Sequence, residues 1–155
     1  MNITQFQSLL QPVANHITGW AIDDDLADEL NLQFPPDSER FEAIENACHQ
    51  AISAGWMCAQ GAEGRRFGRI IEPSDETHML SVDVVDLKDI VGPHHRHPEG
   101  EVCMIMPVTA GALFDGKSRG WCVYKPGSAH HPTVTNGEAL VLYMLPGGKI
   151  EFTST

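Results

Sequence analysis

Residues 92–101 hold the densest group of metal-binding and proton-transfer side chains in the sequence. Three of the eight histidines and two carboxylates lie within these ten positions. Imidazole nitrogens and carboxylate oxygens are ligands that zinc, iron, manganese and nickel take in proteins. The composition of this stretch therefore indicates a metal site, an acid–base site, or both.

Four side chains in and just after this stretch share one parity, namely those of His95, His97, Glu101 and Cys103. Side chains alternate between the two faces of a strand, so these four can point into one cavity if the strand continues through Gly100 or turns tightly there. Two imidazoles and a carboxylate on one face would bind a divalent metal and leave a position for water or substrate. His94 has the opposite parity, and we expect it to lie outside the pocket.

The chain divides into a helical N-terminal segment and a β-rich remainder. Apolar residues recur at helical spacing within residues 1–56, whereas short β-rich runs separated by Gly, Pro and Asn-Gly turns begin near residue 64. Many short strands with frequent turns are typical of a sandwich or barrel. We therefore predict a helical extension over residues 1–63 packed on a β-barrel over residues 64–155, as one structural domain.

Charge and apolar patterning narrow the possible partners and compartment. The formal net charge is −11, and nucleic acids and anionic membranes require clusters of Lys and Arg that this chain lacks. No apolar run is long enough to span a membrane, no signal-peptide pattern is present, and the cysteines show no CxxC spacing. We expect a cytoplasmic protein with no nucleic-acid or membrane partner.

The order of the candidate ligands resembles that of the cupin superfamily. The pattern is His-x-His followed by Glu, here His95, His97 and Glu101, and a later Gly-x-x-His that ends at His130. The resemblance implies a mainly β, double-stranded β-helix (jelly-roll) barrel and adds His130 as a fourth metal ligand. A register error of one residue would exchange His130 with its neighbour His131, so His131 stays open as the alternative.

A longer part of the chain resembles the bacterial 4-hydroxylaminobenzoate lyase family. The helical extension, residues 92–101 and residues 120–134 carry this resemblance. It implies an enzyme that converts a small aromatic carboxylate, 4-hydroxylaminobenzoate, into 3,4-dihydroxybenzoate and ammonia in nitroaromatic breakdown. The candidate ligand set separately predicts a divalent Zn, Fe, Mn or Ni ion as the cofactor. Cupin barrels commonly pair through strand edges, so we also expect a homodimer.

Such a reaction requires proton transfer and a means of holding the benzoate carboxylate. Glu99, two residues before Glu101, and Tyr143, on the last long strand, are the candidate acid–base residues. Arg66 and Arg96 are the candidate carboxylate anchors, because arginine binds carboxylates in a bidentate manner. A solvated loop carboxylate, a core tyrosine and surface arginines are the alternative interpretations.

Two other classes of function stay open at this point. One is a different metal-dependent cupin enzyme of the dioxygenase type, which oxygen consumption would reveal. The other is a non-catalytic cupin that binds a small molecule, although the clustered ionisable residues count against it. A cupin metal site hosts many chemistries, so the fold alone does not choose between them.

Overall fold

The computed structural model describes residues 1–153, in which three helices precede ten β-strands. The helices are α1 (Ile3–Ile17), α2 (Asp24–Gln33) and α3 (Glu39–Ala54). The last two residues of the predicted 64–155 barrel lie outside the described residues. No helix within residues 1–153 is long and apolar enough to cross a membrane.

Each helix begins at a polar side chain that caps its N-terminus. Asn2, Asp23 and Ser38 accept hydrogen bonds from backbone amides in the first turns of their helices. Caps of this kind each contribute about 1 kcal/mol to helix stability. α3 ends at Gly55, whose φ of 88° lies in the left-handed region that glycine adopts without a steric penalty.

The strands form two antiparallel sheets. In chain order they are β1 (Gln60–Ala62), β2 (Arg65–Ile71), β3 (Leu80–Val91), β4 (His95–His97), β5 (Glu101–Pro107), β6 (Leu113–Phe114), β7 (Gly120–Tyr124), β8 (Ser128–His130), β9 (Thr133–Pro146) and β10 (Glu151–Phe152). The larger sheet has the order β1-β2-β3-β9-β5-β7, with β6 also paired to β9, and the smaller sheet has the order β10-β4-β8. Strands β4 and β5 are consecutive in the chain but belong to different sheets.

The two faces of the larger sheet bury different groups. Met104 and Leu142 share a hydrophobic core with residues of all three helices. Their sequence neighbours Cys103 and Val141 belong to a second core inside the barrel, because successive side chains of a strand point to opposite faces. The helices therefore cover one face of the larger sheet, and its other face lines the barrel interior.

Polar contacts attach the helices to the edge strand β7. The Asn31 side chain of α2 accepts a hydrogen bond from the backbone N–H of Trp121 at 2.9 Å and donates one to its carbonyl at 3.0 Å. Arg119 donates to both carboxylate oxygens of Glu45 in α3, at 2.5 and 2.7 Å. The Asn31 contacts occupy backbone groups of Trp121 that would otherwise be open at this edge. This mainly β architecture with an N-terminal helical segment confirms the predicted fold class.

Candidate metal centre

Three histidines meet inside the barrel. The register of β4 and β8 places His95 directly opposite His130, and their Nε2 atoms lie 3.0 Å apart. One ligand nitrogen from each of His95, His97 and His130 lies within 4.8 Å of the other two. Three imidazole nitrogens at this spacing can bind one divalent metal ion.

Glu101 reaches the same cluster from the other sheet. The chain passes from β4 to β5 through Gly100, which has a φ of 89°. A Cβ at this position would lie 2.6 Å from a methyl carbon of Ile22 and 3.0 Å from the carbonyl oxygen of Tyr124, so the turn requires glycine. The turn brings Glu101 Oε2 to 2.8 Å from His97 Nε2.

Two atoms of this cluster are buried without a hydrogen bond. His97 Nε2 and Glu101 Oε2 are close to each other, but neither has a hydrogen-bond partner among the described residues. These two buried atoms lie 2.8 Å apart and converge with two more imidazole nitrogens, and such a concentration of buried polar atoms indicates a bound group. A divalent cation would satisfy both atoms, and the donor set therefore fits a metal ion.

The second ring nitrogen of each β4 histidine has its own partner. His95 Nδ1 lies 3.2 Å from the carbonyl oxygen of Pro93, and His97 Nδ1 lies 3.1 Å from the hydroxyl oxygen of Ser128. A contact of this kind at Nδ1 fixes the ring and directs Nε2 toward the cluster. Burial is the main cause that lowers the pKa of His95 to about 4, so this imidazole is neutral at neutral pH.

Asp115 orients the third histidine. Its Oδ2 accepts hydrogen bonds from His130 Nδ1 at 2.6 Å and from the Tyr124 hydroxyl at 2.5 Å, and its Oδ1 accepts the Thr133 amide at 2.9 Å. Burial raises the pKa of this carboxyl, but the hydrogen bonds outweigh burial and hold the pKa below its ordinary value. Asp115 is therefore an anion that directs His130 Nε2 into the site. No local motif signals this residue in the sequence.

Cys103 holds the outer oxygen of Glu101. Its thiol donates a hydrogen bond to Glu101 Oε1 at 2.7 Å, which leaves Oε2 facing the histidines. Burial is the main cause that raises the pKa of the thiol well above its ordinary value. Cys103 is therefore a protonated donor that positions the carboxylate.

A cavity of about 100 Å³ adjoins the cluster. His95, Glu101 and His130 form one part of its lining, and the rest is mainly apolar. The aromatic side chains in this lining are Phe67, Phe114, Tyr143 and Phe152. Flat aromatic walls beside a few polar groups suit an aromatic ligand with a polar substituent.

The structure brings His130, and not His131, into the cluster. His131 turns away, with its Nδ1 3.1 Å from the carbonyl oxygen of Gly92. The His131 ring lies 4.8 Å from the ring of His94, which also contacts the Thr153 hydroxyl. His94 and His131 thus form a separate pair outside the cluster.

Of the two predicted acid–base residues, Tyr143 lines the cavity and Glu99 does not. Burial is the main cause that raises the pKa of Tyr143 well above its ordinary value, so its hydroxyl is protonated. Glu99 lies in the turn between β4 and β5, where its side chain is 52% exposed and 3.6 Å from Lys149 Nζ. The tight turn that delivers Glu101 inward leaves Glu99 facing solvent.

Neither predicted arginine anchor lines the cavity. Arg96 lies between the inward-facing histidines of β4, so it points to the outer face and pairs with Glu151 at 2.6 Å. Arg66 lies opposite Asp86 in the β2–β3 register, with the parity opposite to that of the cavity residue Phe67. The arginine of β2 that lines the cavity is Arg65.

The family model of PnbB, 4-hydroxylaminobenzoate lyase, matches residues 8–152. The chain belongs to this family. A 4-hydroxylaminobenzoate lyase from Nocardioides sp. (strain LMS-CY) is 30% identical over 154 residues, which cover 93% of this chain and 90% of that protein. A 4-hydroxylaminobenzoate lyase from Pseudomonas putida is 30% identical over 140 residues, which cover 79% and 80% of the two chains. The predicted resemblance is confirmed, and the family is one of lyase enzymes.

Two solved structures resemble this chain at low sequence identity. The DMSP lyase DddQ from Ruegeria pomeroyi DSS-3 has a TM-score of 0.46 and 17% identity, covering 97% of this chain and 96% of that chain. An RmlC-like cupin protein from Ralstonia eutropha JMP134 has a TM-score of 0.46 and 9% identity, covering 62% and 64%. These similarities concern the fold alone.

Proposed function

We propose that this lyase converts 4-hydroxylaminobenzoate and water into 3,4-dihydroxybenzoate and ammonia, and that it requires a divalent metal ion. The observation that supports the metal requirement is the convergence of His97 Nε2 and Glu101 Oε2, which are buried and make no hydrogen bond within residues 1–153, with the imidazoles of His95 and His130. Family membership supports the substrate, and the aromatic cavity next to the cluster has the right chemistry for it.

The reaction balances with one water consumed and one ammonia released. The N–O bond breaks and its oxygen leaves as water, while another water forms a C–O bond at the ring carbon next to the nitrogen-bearing carbon. Water then replaces nitrogen at the nitrogen-bearing carbon, and tautomerisation gives the catechol ring. No electrons are gained or lost overall, because reduction at nitrogen matches oxidation of the ring. The reaction therefore needs proton transfers, and no external oxidant or reductant.

His95, His97, Glu101 and His130 would hold the metal ion. When bound there, a divalent cation supplies Lewis acidity, which favours departure of an oxygen leaving group and lowers the pKa of water. Imidazole ligands add no charge to a metal ion, so a divalent cation held by three of them and one carboxylate would keep a net positive charge, which suits an oxygen that develops negative charge.

Tyr143 is the proton donor in this proposal. Its hydroxyl is protonated and makes no hydrogen bond to any residue within 1–153, although the side chain lines the cavity. A free hydroxyl in a ligand cavity can donate to the departing hydroxylamine oxygen and later recover its proton from water.

Ammonia release under metal control tests the proposed function. Purified protein is treated with a chelator, dialysed, and assayed with 4-hydroxylaminobenzoate before and after addition of Zn, Mn, Fe or Ni. We expect activity to disappear with the metal and to return with at least one of these ions, with equimolar ammonia and 3,4-dihydroxybenzoate. Full activity of metal-free protein would contradict the metal requirement, and oxygen consumption without ammonia would favour a dioxygenase.

A further inference from the structure

We propose that Arg65 binds the substrate carboxylate and makes the site selective for aromatic hydroxylamines with an anionic group opposite the nitrogen. This inference rests on the proposed function and deepens it by naming the residue that recognises the carboxylate. It also replaces Arg66 and Arg96 as the candidate anchor.

The alternation of β2 directs Arg65 toward the cavity. Arg65 and Phe67 lie two residues apart on the inward face, and both line the cavity. Arg66 lies between them and faces the other side of the sheet, opposite Asp86 in the register. Among the described residues, Arg65 is the one Arg or Lys in the cavity lining.

The Arg65 guanidinium is available for a ligand. It makes no salt bridge within residues 1–153, and its central carbon lies 5.2 Å from the centre of the Phe67 ring. Arg69 and Arg96, in contrast, are occupied, since Arg69 pairs with Asp83 at 3.0 Å and Arg96 pairs with Glu151 at 2.6 Å. A guanidinium stacked on an aromatic ring still presents a planar edge of donors that matches a carboxylate.

Arg65 and the metal centre lie toward opposite ends of the cavity walls. The register of the sheet gives the order of the inward-facing positions along the strands. Glu101 is followed by Tyr143, then by Val141 and Phe67 side by side, and then by Arg65. A ring whose nitrogen faces the histidine cluster would therefore run along the aromatic walls and direct a para carboxylate toward Arg65.

The acidity of the protein favours a local cation where this anionic substrate binds. The net charge of −11 disfavours the approach of a benzoate anion. A single free guanidinium at the other end offsets this repulsion at the position where the carboxylate lies.

Kinetics with a charged and an uncharged substrate test this role. Arg65→Gln and the matched control Arg66→Gln are assayed with 4-hydroxylaminobenzoate and with its amide, 4-hydroxylaminobenzamide. Because Arg65 is exposed and water screens the contact, we expect Arg65→Gln to raise KM for the benzoate about 5-fold and to leave kinetics on the amide unchanged. Arg66→Gln should change neither. An unchanged KM in Arg65→Gln, or equal losses on both substrates, would overturn the proposal.

A binding measurement separates this proposal from the proposed function. Calorimetry with metal-replete protein compares 4-hydroxybenzoate with 4-hydroxybenzamide, neither of which can react at nitrogen. Binding of the benzoate that weakens in Arg65→Gln supports the anchor even if the wild-type protein releases no ammonia. Failure of the wild-type protein to bind the benzoate, or equal binding by Arg65→Gln, overturns the anchor even if the lyase reaction is observed.

Discussion

The Cys103 thiol donates a hydrogen bond to Glu101 Oε1 across 2.7 Å inside the barrel. Because this bond holds one carboxylate oxygen, it directs the other toward His97. We predict that Cys103→Ala lowers metal affinity by about 10-fold, in the range for loss of a group that orients a ligand. Cys103→Ser keeps a donor and should bind metal more tightly than Cys103→Ala. Competition with a chromogenic chelator measures both, and equal affinities of the two variants would contradict the role.

Asp115 should control metal affinity through His130. Asp115→Asn keeps the size of the side chain but removes the negative charge of the group that accepts a hydrogen bond from His130 Nδ1 at 2.6 Å. We expect metal affinity to fall by about 10- to 100-fold. Tyr124→Phe removes a different hydrogen bond to the same carboxylate and should have a smaller effect. If Tyr124→Phe weakens binding more than Asp115→Asn, the role of Asp115 is wrong.

Tyr143 and Glu99 should differ in their effects on turnover. Tyr143→Phe removes the protonated hydroxyl in the cavity, so we expect kcat to fall by about 100-fold or more with unchanged metal content. Glu99→Gln should keep near wild-type turnover, because Glu99 is exposed beside Lys149. Full turnover by both variants would show that neither residue transfers the proton. A loss limited to Glu99→Gln would show that Glu99, not Tyr143, has this role.

The turn at Gly100 should be sensitive to any side chain. Gly100→Ala places a Cβ at positive φ and 2.6 Å from Ile22, so we expect a loss of about 2–4 kcal/mol from strain and overlap. Gly111→Ala is the matched control, since Gly111 has a φ of 83° and no atom near the added Cβ. It should cost only about 1–2 kcal/mol. Chemical denaturation measures both, and equal losses would show that the contact with Ile22 has no effect.

Much of the site could be predicted because it depends on local spacing. His95 and His97 lie on one short strand, and strand alternation alone directs both side chains inward. Glu101 required more than alternation, since a glycine turn carries the chain from one sheet to the other before Glu101. The second motif gave His130, but only the β4–β8 register separates it from His131.

The remaining features depend on contacts between distant parts of the chain or on register. Asp115 lies 15 residues before His130, and nothing in the intervening sequence indicates that the two side chains meet. Which arginine of β2 faces inward depends on the register of that strand. A shift of one residue exchanges the two faces of a strand, so Arg65, not Arg66, lines the cavity.

Metal content is the most direct test of the histidine cluster as a metal centre. Elemental analysis would be performed on the wild-type protein, on His130→Ala, and on the control His131→Ala, which changes the adjacent histidine outside the cluster. The account predicts about one divalent ion per chain in the wild type and in His131→Ala, and a large loss in His130→Ala together with ammonia release. Equal metal content in all three proteins, or a loss only in His131→Ala, would contradict it.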